Sequence, residues 1–220
     1  MTGLRESRGA SIVHSMYLVG ILFLGSGCTD DGGGSDDVPT VSIPPTITLL
    51  SDDFSSGSLS NWTIQAPAGQ TSVFGNPAPS LLLDGLAGSG SAAVAYSNSS
   101  FLATGTLTLA LDVNPGDSNA TVAIIDFPNP PTINTFASIV DTGVLYSIGG
   151  VSKLVNNAAA GGYHRFTFTI TSYGIAMWSR DGILQHTGLY SAPTTVQLDL
   201  RDLAAGNSGS RFDNVLVTMP

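Results

Sequence analysis

Tyr163–Gln185 reads YHRFTFTITSYGIAMWSRDGILQ, and its alternation decides the fold. In Arg165–Ile170, Phe166, Phe168 and Ile170 fall on one face, and Arg165, Thr167 and Thr169 on the other. A period of two is the mark of a strand buried on one side. Tyr173-Gly174 breaks the run and Ile175–Ser179 resumes it. Arg180-Asp181-Gly182 breaks it again, and Asp-Gly is the pair a tight hairpin turn prefers. The stretch predicts an antiparallel meander with one buried face.

Outward from there the same signal recurs. Thr106–Val113 sets Leu107, Leu109, Leu111 and Val113 against Thr106, Thr108, Ala110 and Asp112. Further predicted strands are Thr46–Leu50, Trp62–Ile64, Ser80–Leu83, Ala92–Tyr96, Thr121–Asp126, Phe136–Val140, Val144–Ile148, Thr194–Leu200 and Arg211–Thr218. Gly-, Asn- and Pro-rich stretches separate them, among them Gly85–Ser91, Asn114–Asn119, Phe127–Asn134 and Asn156–Gly162. About a dozen short strands without a long helix predict an all-β fold, a two-sheet antiparallel β-sandwich of jelly-roll type.

The chain has 220 residues, only 10% of them charged, with 26 Gly and a formal charge of −9. Lys153 is the only lysine and no basic run exists, which excludes a nucleic-acid surface. An Asp-rich surface keeps an extracytoplasmic protein soluble and is also compatible with calcium. The single Glu is Glu6, so the rest of the chain lacks the Glu pair or Glu/Asp pair of many retaining glycosidases; two Asp would have to serve.

Residues 1–27 read as a targeting segment. Arg5 and Arg8 precede the apolar run Ile12–Leu24, which is short for a bilayer core of about 30 Å and suits a signal peptide. Leu24-Gly25-Ser26-Gly27-Cys28 resembles a bacterial lipoprotein cleavage box, with Gly25 where such boxes carry Leu. Cys28, the only cysteine, would then carry lipid; an ordinary signal peptide with an incidental cysteine is the other reading. Thr29 after the cysteine is not the Asp associated with inner-membrane retention, so the expected location is the cell envelope, at the outer membrane or cell surface. Residues 28–45 read as a flexible acidic tether with four Asp and three Pro, of reach roughly 25 Å, and residues 46–220 as one domain.

Three segments resemble concanavalin A-like and laminin G-like jelly rolls. They are Asp52-Asp53-Phe54-Ser55-Ser56-Gly57-Ser58-Leu59-Ser60-Asn61-Trp62, then Tyr163–Phe166 with Trp178 and Asp181-Gly182, then Phe212–Val217. The resemblance implies that the first and last strands pair, bringing Asp52, Asp53 and Asp213 together where related carbohydrate-binding jelly rolls hold a structural calcium. A hydrogen bond from Asp213 or Asn214 to a neighbouring turn is the alternative. It also implies lectin, carbohydrate-binding, glycosidase or adhesion functions, among which fold does not choose.

For catalysis the sequence offers little. His164 and His186 are the only histidines beyond the leader, without zinc-ligand spacing; no Gly-x-Ser-x-Gly elbow occurs. The Glu-x-Asp-x-x-Glu pattern of this fold's glucanases is absent, so no catalytic residue is assigned. Sugar binding uses aromatic faces beside polar donors and acceptors. Trp178, Tyr146, Tyr173 and Tyr190 are candidate platforms, with Asn156, Asn157 and Arg180 at predicted loop ends. Trp62, and to a lesser degree Trp178, read first as core residues. The expected function is a membrane-anchored, non-catalytic glycan-binding or adhesive module. The alternatives are a structural or protein-interaction domain of the envelope, or a divergent glycoside hydrolase using Asp.

Overall fold

The computed structural model describes residues 45–220 apart from 66–72, 75–78, 86–91, 104, 117–119, 127–131, 141–142, 157–161, 192–194 and 204–208. The expected leader, Cys28, the tether up to Pro44, and Asn157 lie outside the described residues. In chain order the strands are β1 (Ile47–Asp52), β2 (Trp62–Gln65), β3 (Val73–Phe74), β4 (Leu81–Leu83), β5 (Ala93–Ser97), β6 (Phe101–Leu102), β7 (Leu107–Asn114) and β8 (Ala120–Asp126). They continue as β9 (Thr132–Val140), β10 (Gly143–Ile148), β11 (Val151–Val155), β12 (His164–Ile170), β13 (Ile175–Arg180), β14 (Ile183–Leu189), β15 (Thr195–Asp202) and β16 (Ser210–Met219). Among the described residues there is no helix.

Two antiparallel sheets result. The first runs β14-β13-β12-β7-β16-β4-β3 with β1 also on β16, and the second runs β11-β10-β9-β8-β15-β5-β2 with β6 also on β15. The expected first-to-last pairing is present, with Asp52 opposite Val215 and Ile47 opposite Met219. The Asp-Gly turn is present too. Asp181 (φ 52°) and Gly182 (φ 78°) both occupy the left-handed region, the conformation of a two-residue hairpin loop whose twist matches its strands. The Asp181 carboxylate fixes this turn, accepting from the Arg165 amide at 2.9 Å and meeting His164 Nδ1 at 2.8 Å. Burial pushes its pKa up, but those two hydrogen bonds and the nearby His164 and Arg180 hold it below the usual carboxylate value.

The sheets share the core unequally. The first contributes large side chains, among them Phe166, Phe168, Trp178 and Phe212; the second contributes Ala93, Ala95, Ala120 and Ala137 at several inward positions. Small residues facing large ones let the layers interdigitate without voids. Trp178 is fully buried, its ring 4.6 Å from Phe168 and 6.4 Å from Tyr146, and its Nε1–H donates to the Ser147 carbonyl of the opposite sheet at 3.1 Å.

Along one flank the edge strands β11 and β14 meet. Lys153 Nζ donates to the Gln185 carbonyl at 2.8 Å, and His186 Nε2 bonds the Val151 carbonyl at 3.1 Å. Trp178 pairs with His186 and Ser179 with Leu184, which leaves Gln185 as the extra residue of a β-bulge.

Candidate ligand-binding face

The opening motif forms a clasp. Asp52 Oδ1 accepts the Phe54 amide at 2.9 Å, and Oδ2 accepts Trp62 Nε1 at 2.8 Å and Asn61 Nδ2 at 3.3 Å. Phe54, at φ 53°, then lies with its ring 5.8 Å from that of Trp62. Asp53 accepts from the amide and hydroxyl of Ser55, which lower its pKa, and Asp213 accepts the Asn214 amide at 2.7 Å. The local hydrogen bond expected as the alternative at Asp213 and Asn214 is present. Asp53 and Asp213 do come within electrostatic reach of each other. Among the described residues no group of three or more His, Cys, Asp or Glu side chains converges to hold a metal ion, so a calcium here would need backbone carbonyls and water beside these carboxylates.

The expected sugar platforms need correction. Trp178, Tyr146 and Tyr190 are buried in the core, where no sugar ring can stack on them. Burial pushes the Tyr146 phenol up to about 12, and its hydroxyl lacks a hydrogen-bond partner. Arg180 is also buried, near Asp181 at 3.9 Å, and cannot serve as an open donor. Tyr173 and Asn156 are exposed, but Tyr173 occupies the turn between β12 and β13 while Asn156 follows β11 at the opposite end of the sandwich. They do not form one site.

The register of the second sheet assembles a different surface. Thr63, Tyr96, Asp199, Ala123, Phe136, Ser147 and Ser152 pair in turn across seven strands. Beside this row runs a second: Gln65, Val94, Arg201, Thr121, Ser138, Leu145 and Leu154. Side chains alternate, so both rows face away from the core. Tyr96 and Phe136 are three strands apart, about 14 Å at ordinary strand spacing. Thr121, Ala123, Phe136, Ser138, Leu145 and Arg201 line a depression of about 300 Å³ on this face.

An ion pair anchors its centre. Arg201 grips Asp199 through two hydrogen bonds, Nε to Oδ1 at 2.8 Å and Nη2 to Oδ2 at 2.5 Å. Burial pushes the Asp199 carboxyl up and the guanidinium draws it back, while those bonds raise the Arg201 pKa further. Two of the guanidinium's five N–H donors are thus engaged, and its plane is fixed beside the hydroxyl pair Thr121–Ser138, 2.8 Å apart. Tyr96, Phe136 and Leu145 are half-buried on this surface with Arg201 partly exposed beside them, while Asp199, Thr121 and Ser138 are buried beneath it.

On the other sheet Asp112 and Asp213 pair directly across β7 and β16. Asp112 bonds Arg165 Nη1 at 3.1 Å and Asn214 Nδ2 at 2.8 Å. Burial, with Asp112 and Asp53 nearby, raises the Asp213 pKa.

No protein-family model matches the sequence, and no curated protein matches it. The architecture is that of the concanavalin A-like and galectin-like jelly rolls. A sialidase structure superposes with TM-score 0.61 at 15% identity over 76% of this chain, which spans only 18% of the sialidase. A protein of unknown function with a galectin-like fold from Bacillus subtilis gives 0.56 at 13% identity, covering 77% of this chain and 94% of its own. The carbohydrate recognition domain of Emp47p gives 0.51 at 9% identity, covering 76% and 92%.

Proposed function

We propose that this protein is a non-catalytic carbohydrate-binding or adhesive module of the cell envelope, held to a membrane by lipid on Cys28. It engages glycan on the outer face of its second sheet. The observation carrying this reading is the pair of in-register rows that sets Tyr96 and Phe136 on strands to either side of Arg201, whose guanidinium Asp199 holds in place, on one outer face. Similarity to a carbohydrate recognition domain supports it at the level of fold. The test is a polysaccharide and glycan screen with the full chain, run with calcium and with a chelator. Saturable binding weakened about tenfold or more in Phe136→Ala and Tyr96→Ala variants that retain their fold is the expected result. Binding unaffected by both substitutions, or absent from every glycan tested, would overturn the reading. Release by chelator would add the structural calcium expected at Asp52, Asp53 and Asp213.

One observation favours a second reading, a divergent glycoside hydrolase. Asp213, with a raised pKa, directly opposes Asp112, which Arg165 holds, and a facing pair of carboxyl groups is what such hydrolysis uses. Glycan cleavage abolished by Asp213→Asn would establish it.

A further inference from the structure

The two ends of the sandwich differ in charge. At one end lie the start of β1, where Ile47 pairs with Met219, and the strand ends joined by Leu107–Ile170 and Ile175–Leu189. The second sheet reaches the same end through Leu102–Thr195 and Ile148–Val151. The sheets meet there: Leu49 and Met219 line one depression with Phe101 and Leu102, and Gly188 packs on Ile148. Exposed large hydrophobic residues at this end include Ile47, Leu102, Val151, Ile175, Leu189 and Tyr173, the last two 81% and 89% exposed. The described residues that connect strands here are 103, 105–106, 149–150, 171–174 and 190–191, and none of them is charged. Asp126, at the end of β8, is the one acidic position the register places there.

The charged side chains cluster elsewhere. Arg165, Arg180, Arg201 and Arg211 belong to the other half of the strands, where they are outnumbered by Asp53, Asp84, Asp112, Asp181, Asp202 and Asp213, while Asp52, Lys153 and Asp199 are placed mid-sheet. A protein of net charge −9 presents one end that is apolar and almost free of formal charge. The described domain begins at that end, at Pro45, and the lipid proposed on Cys28, on which a seat at the membrane rests, stands upstream of it in the sequence.

We propose that this uncharged end rests on a lipid bilayer, with Tyr173, Leu189 and Val151 entering the headgroup–acyl boundary. Tyr suits that boundary because its ring is apolar and its hydroxyl stays wet. The acidic half then points away from the surface, where repulsion from anionic headgroups is weakest. The seat needs no charge attraction and is independent of the glycan reading.

The test uses the full chain in phosphatidylcholine vesicles whose acyl chains carry bromine, which quenches nearby tryptophan. Trp62 and Trp178 are buried and supply a constant background. Tyr173→Trp and Leu189→Trp are each compared with Ile183→Trp, an exposed site at the opposite hairpin tip, and near-ultraviolet circular dichroism checks each fold. The expected result is about twofold quenching of the added emission at 173 or 189, as for side chains about 5–10 Å into the interface, and none at 183. No quenching at 173 and 189, or equal quenching at 183, overturns the proposal.

Discussion

Replacing Asp52 by Ala isolates the clasp that closes the opening motif. The change removes the acceptor of two buried donors, the Phe54 amide and Trp62 Nε1, in residues 0% and 5% exposed. A buried donor left unpaired costs about 1–3 kcal/mol, and the positive φ of Phe54 loses the bond that holds it. The third bond, from Asn61, is longer and partly exposed, and adds little. Together the loss comes to about 3 kcal/mol, a fall in Tm of about 6–12 °C for a domain of this size. Urea unfolding of the full chain, followed by tryptophan fluorescence at unchanged m, measures it directly. Wild-type protein is run in parallel with calcium and with a chelator. A loss below about 1 kcal/mol would refute the clasp. So would a wild-type calcium stabilisation that disappears in Asp52→Ala, because the carboxylate would then be holding a metal.

Other substitutions probe the remaining features. Gly143→Ala puts a Cβ 2.1 Å from the Val155 carbonyl oxygen, so it should cost about 3 kcal/mol or more in urea unfolding. Gly150→Ala, with φ 84° but open space around it, should cost only about 1 kcal/mol. Arg201→Leu leaves Asp199 buried and unpaired, an expected loss of about 3–5 kcal/mol that the double change with Asp199→Leu should largely restore. Asp213 has a folded pKa above its unfolded value of 3.8, so its contribution to stability is present below that value and lost as pH rises through the folded pKa. Asp213→Asn should therefore stabilise the domain by about half a kcal/mol at pH 7, solvent screening keeping the gain small, and by nothing below the unfolded pKa, as read from melts across pH.

The strands that alternate large apolar against polar residues were legible. Leu107–Val113 and Phe166–Ile170 point inward as their period requires, and Asp181-Gly182 turns where its chemistry demands. β3, β6 and β11 were not, because two are only two residues long and Val151–Val155 is an edge strand exposed along most of its length. The binding face was hidden for a different reason. In β5, Ala93 and Ala95 face the core while Val94 and Tyr96 face out; in β9, Ala137 faces in and Phe136 out. Hydrophobic periodicity favours the larger residue for the core, but here the opposite sheet's aromatics fill that volume. Tyr146 shows the converse. It shares a face with Val144 and Ile148, so its aromatic ring packs inside instead of meeting a ligand.

The seam between β11 and β14 bears on how copies of this protein tolerate crowding. Edge strands invite pairing with other chains, and molecules confined to a surface at one height would meet side by side. Here the Gln185 carbonyl is already taken by the chain's only lysine, the Val151 carbonyl by His186, and the bulge interrupts the ladder a neighbour would extend. This edge therefore presents a poor template for polymerisation, whatever the density at which copies meet.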